Sequence, residues 1–234
     1  PNAYIFTGIR GVGKTTTARI VAKMLNCTVF DKNNNPDLIN CEQAKAITED
    51  RHPDVIEIDA ASNTSVENAR EIIENVKYNP VLGKYKVYIV DEVHMLSKSA
   101  FNALLKTLEE PPPHSKFIFA TTEISKVPIT ILSRCQRFDL RRVEKKTLSD
   151  FLKSIAKKED ITISNEALNL IVKASDGSVR DSLSILDQAN IFKSQKEIQV
   201  EEIVNMLGFA KQSDLYELSK CIFDNNLSKL ISML

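Results

Sequence analysis

Gly8-Ile9-Arg10-Gly11-Val12-Gly13-Lys14-Thr15 is the stretch that decides the fold of this chain. It matches the phosphate-binding pattern G-x-x-x-x-G-K-[ST] at every fixed position. The pattern has a physical basis. Glycines let the backbone curl so that successive N–H groups face phosphate oxygens, which larger side chains would obstruct. The helix expected to begin near Lys14 brings its positive dipole end to the same place. Lys14 then reaches the outer phosphates of a nucleotide, and the Thr15 hydroxyl coordinates Mg2+. Gly8, Arg10, Gly11, Val12, Gly13 and Thr16 complete the expected nucleotide contacts. The flanks supply the context that the motif requires: Tyr4-Ile5-Phe6 is a short apolar strand leading in. Ala18, Val21, Ala22 and Leu25 recur behind it at helical spacing.

Working outward, Asp54 to Asp59 alternates like a second strand, and Ser65 to Val76 carries a helical pattern. Tyr85 to Val90 is an apolar, β-branched third strand. Phe101, Leu104, Leu105 and Leu108 mark an amphipathic helix stopped by Pro111-Pro112-Pro113. Phe117 to Ala120 and Gln136 to Leu140 read as a fourth and a fifth strand. Strands alternating with helices predict an α/β fold, a doubly wound sheet of five parallel strands with ligands at the strand C-terminal ends. From Lys146 the pattern changes to helices alone, at Leu148 to Glu159, Ser164 to Ala174 and Ser178 to Phe192. Ser164 and Ser178 are the expected N-caps, with Gly177 as a stop signal between two helices. The expected domains are therefore 1–142, nucleotide-binding, and 143–207, a small helical domain. Residues 208–234 read as the start of a third, helical one.

Val87-Tyr88-Ile89-Val90-Asp91-Glu92 is a buried strand ending in two carboxylates. In a nucleotide site the first acid holds Mg2+ and the second deprotonates the attacking water. Alone this is weak evidence; about 75 residues after a phosphate loop it is strong. Asp91-Glu92-Val93-His94 also spells a DExH signature of helicases, but the chain shows no second helicase-type core. His94 reads as structural, or as a link to a neighbouring element. Thr121 and Thr122 end the fourth strand, where a hydroxyl can meet the γ-phosphate or the attacking water, or simply close a turn. Arg134 reads either as a solvated surface charge or as a residue reaching a neighbouring subunit's γ-phosphate. Arg180 reads either as a return to the phosphates in cis or as half of an intrahelical ion pair.

Composition narrows the class. Hydrophobic residues at 43% and charged residues at 26% of the 234 positions describe an ordinary soluble domain. Lys+Arg and Asp+Glu balance at 31 each, so a nucleic-acid surface would have to be local. No apolar run approaches a membrane span and no signal peptide is visible, which excludes a membrane partner and points to the cytoplasm. The 4 cysteines are scattered without a C-x-x-C pair, which argues against a disulfide framework. The start at Pro1 reads as that of a trimmed fragment.

The phosphate loop, Asp91-Glu92-Val93-His94-Met95-Leu96, the run Phe101 to Pro112 ending Leu108-Glu109-Glu110-Pro111-Pro112, Ser133-Arg134-Cys135 and Gly177-Ser178-Val179-Arg180-Asp181 together resemble the AAA+ clamp-loader ATPases of bacterial replicases. The resemblance covers nearly the whole chain, and the Leu-rich run with Ser-Arg-Cys is its most selective part. It implies an AAA+ nucleotide domain followed by a helical lid and a collar domain. The expected activity is an ATPase that opens a ring-shaped sliding clamp and places it on primed DNA, with ATP and Mg2+ as cofactors. It further implies that Thr122 senses the nucleotide, that Arg134 is an arginine finger acting in trans, and that Arg180 is the sensor arginine of the lid. Other clamp-loader subunits, the clamp and primed DNA are the expected partners, with DNA held through its backbone rather than by base readout. No membrane partner is expected. Ser62-Asn63-Thr64-Ser65 is a candidate phosphate contact, equally readable as a helix cap. Whether Lys77, Lys84, Lys86, Lys98 and Lys106 share a surface is not legible at this level. Two departures stand out. The family carries a four-cysteine zinc module between the first helix and the second strand, but here Leu38 and Ala44 stand beside Cys27 and Cys41. With His52 as the remaining candidate, no tightly bound zinc is expected. The missing start and truncated collar lead to the expectation of a monomeric fragment that binds nucleotide poorly. Two rival readings are another AAA+ DNA motor and a nucleotide-gated scaffold that hardly hydrolyses ATP.

Overall fold

The computed structural model describes residues 1–62, 66–192, 197–208, 220 and 222–224. Two compact units divide the chain, Pro1–Arg142 and Val143–Leu234. The first is built on β1 (Ala3–Thr7), β2 (Val55–Asp59), β3 (Lys86–Asp91), β4 (Ser115–Thr121) and β5 (Gln136–Asp139). All pair in parallel, in the order β2-β3-β4-β1-β5. Parallel strands need crossover connections, which α1 (Lys14–Asn26), α3 (Val66–Val76) and α4 (Lys98–Glu109) supply.

Side-chain alternation along the strands fills two separate cores. Ile5, Tyr88, Val90, Phe117 and Phe119 face one way, against Ile72 and Val76 of α3 and Phe101, Leu104 and Leu108 of α4. Phe6, Val87, Ile89 and Ile118 face the other way, against Ala18 and Ala22 of α1. The expected five-stranded sheet is present, with strand bounds differing by one or two residues. Helix α4 starts at a Ser97 cap, whose hydroxyl accepts the Ala100 N–H at 3.2 Å, and ends before the three prolines.

Two short helices escape a reading by periodicity: α2 (Glu42–Thr48) and the four-residue α5 (Ile129–Leu132). Both are shorter than the window in which a helical repeat can be recognised.

Asp54 pins the start of β2 to the loop before β3. Its fully buried carboxylate accepts the N–H groups of Val81, Leu82 and Gly83, each at 2.7 Å. Burial pushes this carboxyl's pKa up, but the three donors together outweigh it and hold the group below its ordinary value. Asp54→Ala strands those donors and is expected to cost about 3 kcal/mol or more, read from the denaturant midpoint. Because the native pKa is depressed, this stabilisation is complete above the ordinary carboxylate pKa and is lost as pH falls through the native one.

The second unit packs α6 (Lys145–Lys158), α7 (Asn165–Ala174), α8 (Val179–Phe192) and α9 (Val200–Leu207) around Leu148, Leu152, Ile171, Leu186 and Ile203. Ser164 caps α7 by accepting the Ala167 N–H at 3.3 Å, and the Ser178 hydroxyl accepts the Asp181 N–H at 3.2 Å. Helix α9 is an addition to the expected set. Most of 208–234, where the third domain is expected, lies outside the described residues.

Candidate nucleotide site

The strand order reverses beside β1, so the chain leaves β1, β3 and β4 at one rim of the sheet, where such folds place their ligands. The phosphate loop leaves β1 there. Gly8 is required sterically, since a Cβ at this position would stand 2.5 Å from the Leu140 carbonyl oxygen. Gly13 is required conformationally. It caps α1 with φ 95°, a left-handed backbone that side chains rarely adopt, in open space. The first turn of α1 carries no acidic residue, so its positive end is not neutralised locally. Lys14 is buried, and its ammonium donates to the carbonyls of Gly8 at 3.2 Å and Ile9 at 3.0 Å. Burial lowers its pKa, while Glu92 and Asp91 pull it back up. Arg10 and Thr16 are exposed at the loop and on the first turn of α1.

The two acids at the end of β3 stand apart in role. The Thr15 hydroxyl donates to Asp91 Oδ2 at 2.6 Å, tying α1 to β3. Asp91 Oδ1 accepts the Glu92 N–H at 2.9 Å. Glu92 itself has φ 45° and ψ 44°, a left-handed conformation costing about 1 to 3 kcal/mol for a residue other than glycine. Its carboxylate Oε2 accepts from Thr122 twice, from the hydroxyl at 3.0 Å and the backbone N–H at 3.2 Å. Thr122 is therefore bonded to the second acid, a pairing that separation along the chain concealed. His94 provides the expected link. Its Nδ1 lies 3.0 Å from Thr121 Oγ1 and 3.4 Å from Glu92 Oε2, and its Nε2 lies 3.5 Å from Glu123 Oε1. Thr121 Oγ1 in turn accepts the Glu123 N–H at 3.0 Å.

Thus the structure links Thr15, Asp91, Glu92 and Thr122 by hydrogen bonds, while Lys14 bonds to the loop carbonyls and feels the two acids only through their charge. Arg134 bonds elsewhere in the same unit, to Thr130, Ser133 and Glu109. Arg180 is exposed in the first turn of α8, in the second unit. Of the candidate DNA contacts, Ser62 donates its hydroxyl to the Asp59 carbonyl at 3.1 Å, and Asn63, Thr64 and Ser65 lie outside the described residues. Lys86 is no surface cation: it is buried and donates to the Asn75 carbonyl at 2.8 Å. Lys77 and Lys106 do share a surface, bordering one groove of about 290 Å³ with Ile73, Glu110 and Pro112.

Cys27 and Cys41 are buried together with Ala44, and Leu38 packs against them. His52 is turned to other partners, with Nε2 2.6 Å from Gln43 Oε1 and Nδ1 accepting the Asp54 N–H at 3.1 Å.

Sheet order, phosphate loop and acid pair together define a P-loop ATPase fold of the AAA+ class. The same fold is seen in the Thermotoga maritima RuvB Holliday junction branch migration motor, with a TM-score of 0.61 at 17% identity over 94% of this chain and 68% of that one. Residues 1–144 match the family model described as DNA polymerase III, delta subunit, and residues 147–195 match that of the DNA polymerase III clamp loader subunit, ATPase lid domain. The chain belongs to the DNA polymerase III clamp-loader subunit family. It is 50% identical over 207 residues to DNA polymerase III subunit tau/gamma of Haemophilus influenzae, covering 88% of this chain and 30% of that protein. It is 46% identical over 235 residues to DNA polymerase III subunit tau of Bacillus subtilis, covering 100% of this chain and 41% of the relative. The chain therefore spans between 30% and 41% of the length of these two relatives.

Proposed function

We propose that this chain is the ATPase part of a bacterial clamp-loader subunit, which couples ATP binding and hydrolysis to opening a sliding clamp and placing it on primed DNA. The observation that carries the reading is the bonded series Thr15–Asp91–Glu92–Thr122 beside a buried Lys14. A site that only gripped nucleotide would have no use for a second carboxylate held in strained backbone.

Residues 1–142 bind nucleotide in this reading and 143–207 act as the lid. The glycine loop and the α1 N-terminus receive the phosphates, and Lys14 exchanges its loop carbonyls for phosphate oxygens. Thr15 and Asp91 present adjacent hard oxygens, a donor pair that fits Mg2+. When bound, that ion would neutralise phosphate charge. Glu92 takes the proton from the attacking water, and Thr122 holds its carboxylate in place. Arg180 senses the nucleotide from the lid, and Arg134 serves a neighbouring subunit, so hydrolysis depends on assembly. Contacts to DNA run through the phosphate backbone. Among the described residues no helix is long and apolar enough to cross a membrane, which is compatible with work on chromosomal DNA in the cytoplasm.

The test is steady-state ATP hydrolysis by the full-length protein with its partner subunits, adding clamp and primed DNA separately and then together. Synergistic stimulation by the two is the expected result. Stimulation by DNA regardless of the clamp would point to another AAA+ motor, and negligible hydrolysis throughout to a nucleotide-gated scaffold.

A further inference from the structure

Arg134 follows α5 at the surface of the first unit, and its guanidinium is tied down within its own chain. Nη1 donates to the Thr130 carbonyl at 2.6 Å and lies 3.3 Å from the Ser133 hydroxyl, while Nη2 donates to the carboxylate of Glu109. These partners come from two helix ends. Glu109 is the last residue of α4, and the Thr130 carbonyl belongs to the short α5. The backbone carbonyl of Thr130 and the side-chain carboxylate of Glu109 both turn negative oxygens towards the cation. Leu108 of α4 and Ile131 of α5 lie in the same buried core.

We propose that Glu109 is a positioning residue for Arg134, fixing the guanidinium in the direction from which it completes a neighbouring subunit's nucleotide site. The proposal rests on the reading of Arg134 as a residue acting in trans. The side chains of the pair are 32% and 49% exposed, and an ion pair in such a setting adds little to stability. What it does remove is the rotational freedom of a long, flexible side chain. A guanidinium has more N–H donors than these three acceptors take up, so it can be held from behind and still present donors to phosphate oxygens. Preorganisation of this kind acts on turnover. The arginine meets developing charge in the transition state, and a misplaced guanidinium loses that interaction without weakening ground-state binding.

The experiment uses the full-length protein assembled with its partner subunits, clamp and primed DNA, and compares Arg134→Ala, Glu109→Ala, Glu109→Gln and the double variant Glu109→Ala/Arg134→Ala. Glu109→Ala is expected to lower kcat roughly 10- to 100-fold with the KM for ATP unchanged. Glu109→Gln, which keeps an acceptor oxygen for Nη2, is expected to recover most of that loss. The double variant should be no slower than Arg134→Ala alone, because Glu109 acts through the arginine. A Glu109→Ala complex that turns over at the wild-type rate or faster, while Arg134→Ala collapses, would overturn the positioning role and leave the trans arginine standing. A normal rate for Arg134→Ala would remove the reading on which the proposal rests. A rise in KM at constant kcat, or a double variant much slower than Arg134→Ala, would assign Glu109 a structural role instead. Glu109→Met, which fills similar space without an acceptor oxygen and is expected to show the same loss as alanine, keeps the test decisive should the alanine variant fold poorly.

Discussion

Glu92→Gln is expected to lower ATP turnover by the assembled complex about 10³-fold while leaving ATP binding close to wild type. The substitution is nearly isosteric. The amide oxygen can still accept the Thr122 hydroxyl and N–H that hold Glu92 Oε2 at 3.0 and 3.2 Å. The left-handed turn at the end of β3 is a backbone feature and does not depend on the carboxylate. Only the capacity to take a proton from water disappears. In the proposed reading phosphate binding rests on other groups, the loop N–H groups, the α1 N-terminus and Lys14, so the effect should fall on kcat. Equilibrium binding of a fluorescent ATP analogue alongside single-turnover hydrolysis separates the two. A variant that binds nucleotide as well as wild type and hydrolyses it at the wild-type rate would exclude Glu92 as the base.

Arg134→Ala is expected to produce a loss of similar size, about 10³-fold or more, but only in the assembled complex. Its guanidinium bonds to Glu109, Thr130 and Ser133 rather than to the loop and acid group of its own unit. The isolated chain should therefore bind nucleotide equally well with or without the side chain. In mixed assemblies the defect should fall on the site of the neighbour that receives the arginine, not on the subunit carrying the substitution. Equal turnover for mutant and wild-type complexes would sink the assignment.

Much of the fold was legible because the determining signals are local. The glycine loop dictates a strand before it and a helix behind it, and apolar runs such as Tyr85 to Val90 are long enough to stand out. Ser164 and Ser178 announced two helix starts through the same capping chemistry seen in their hydrogen bonds. Helix α9 carried a usable signal as well: Gln199 and Glu202 form a capping box at its start. What stayed hidden depends on contacts between distant segments. The bond from Thr122 to Glu92 spans 30 positions, and the carboxylate that holds Arg134 lies 25 positions earlier. Lys86 is another case. A lysine at a strand start reads as a surface charge, and the approach of the Asn75 carbonyl and the Tyr78 ring explains its burial.

The alternation along β3 reaches beyond folding. Val87 and Ile89 belong to one core while Tyr88 and Val90 belong to the other, so a shift of one position would exchange the contents of both. The same count of residues sets Asp91 opposite the Thr15 hydroxyl. Inheritance of the chemistry and inheritance of the packing are thus written in a single stretch. An insertion or deletion within it is therefore expected to disturb both cores and the Thr15–Asp91 bond at once, whereas a substitution disturbs one side chain at a time.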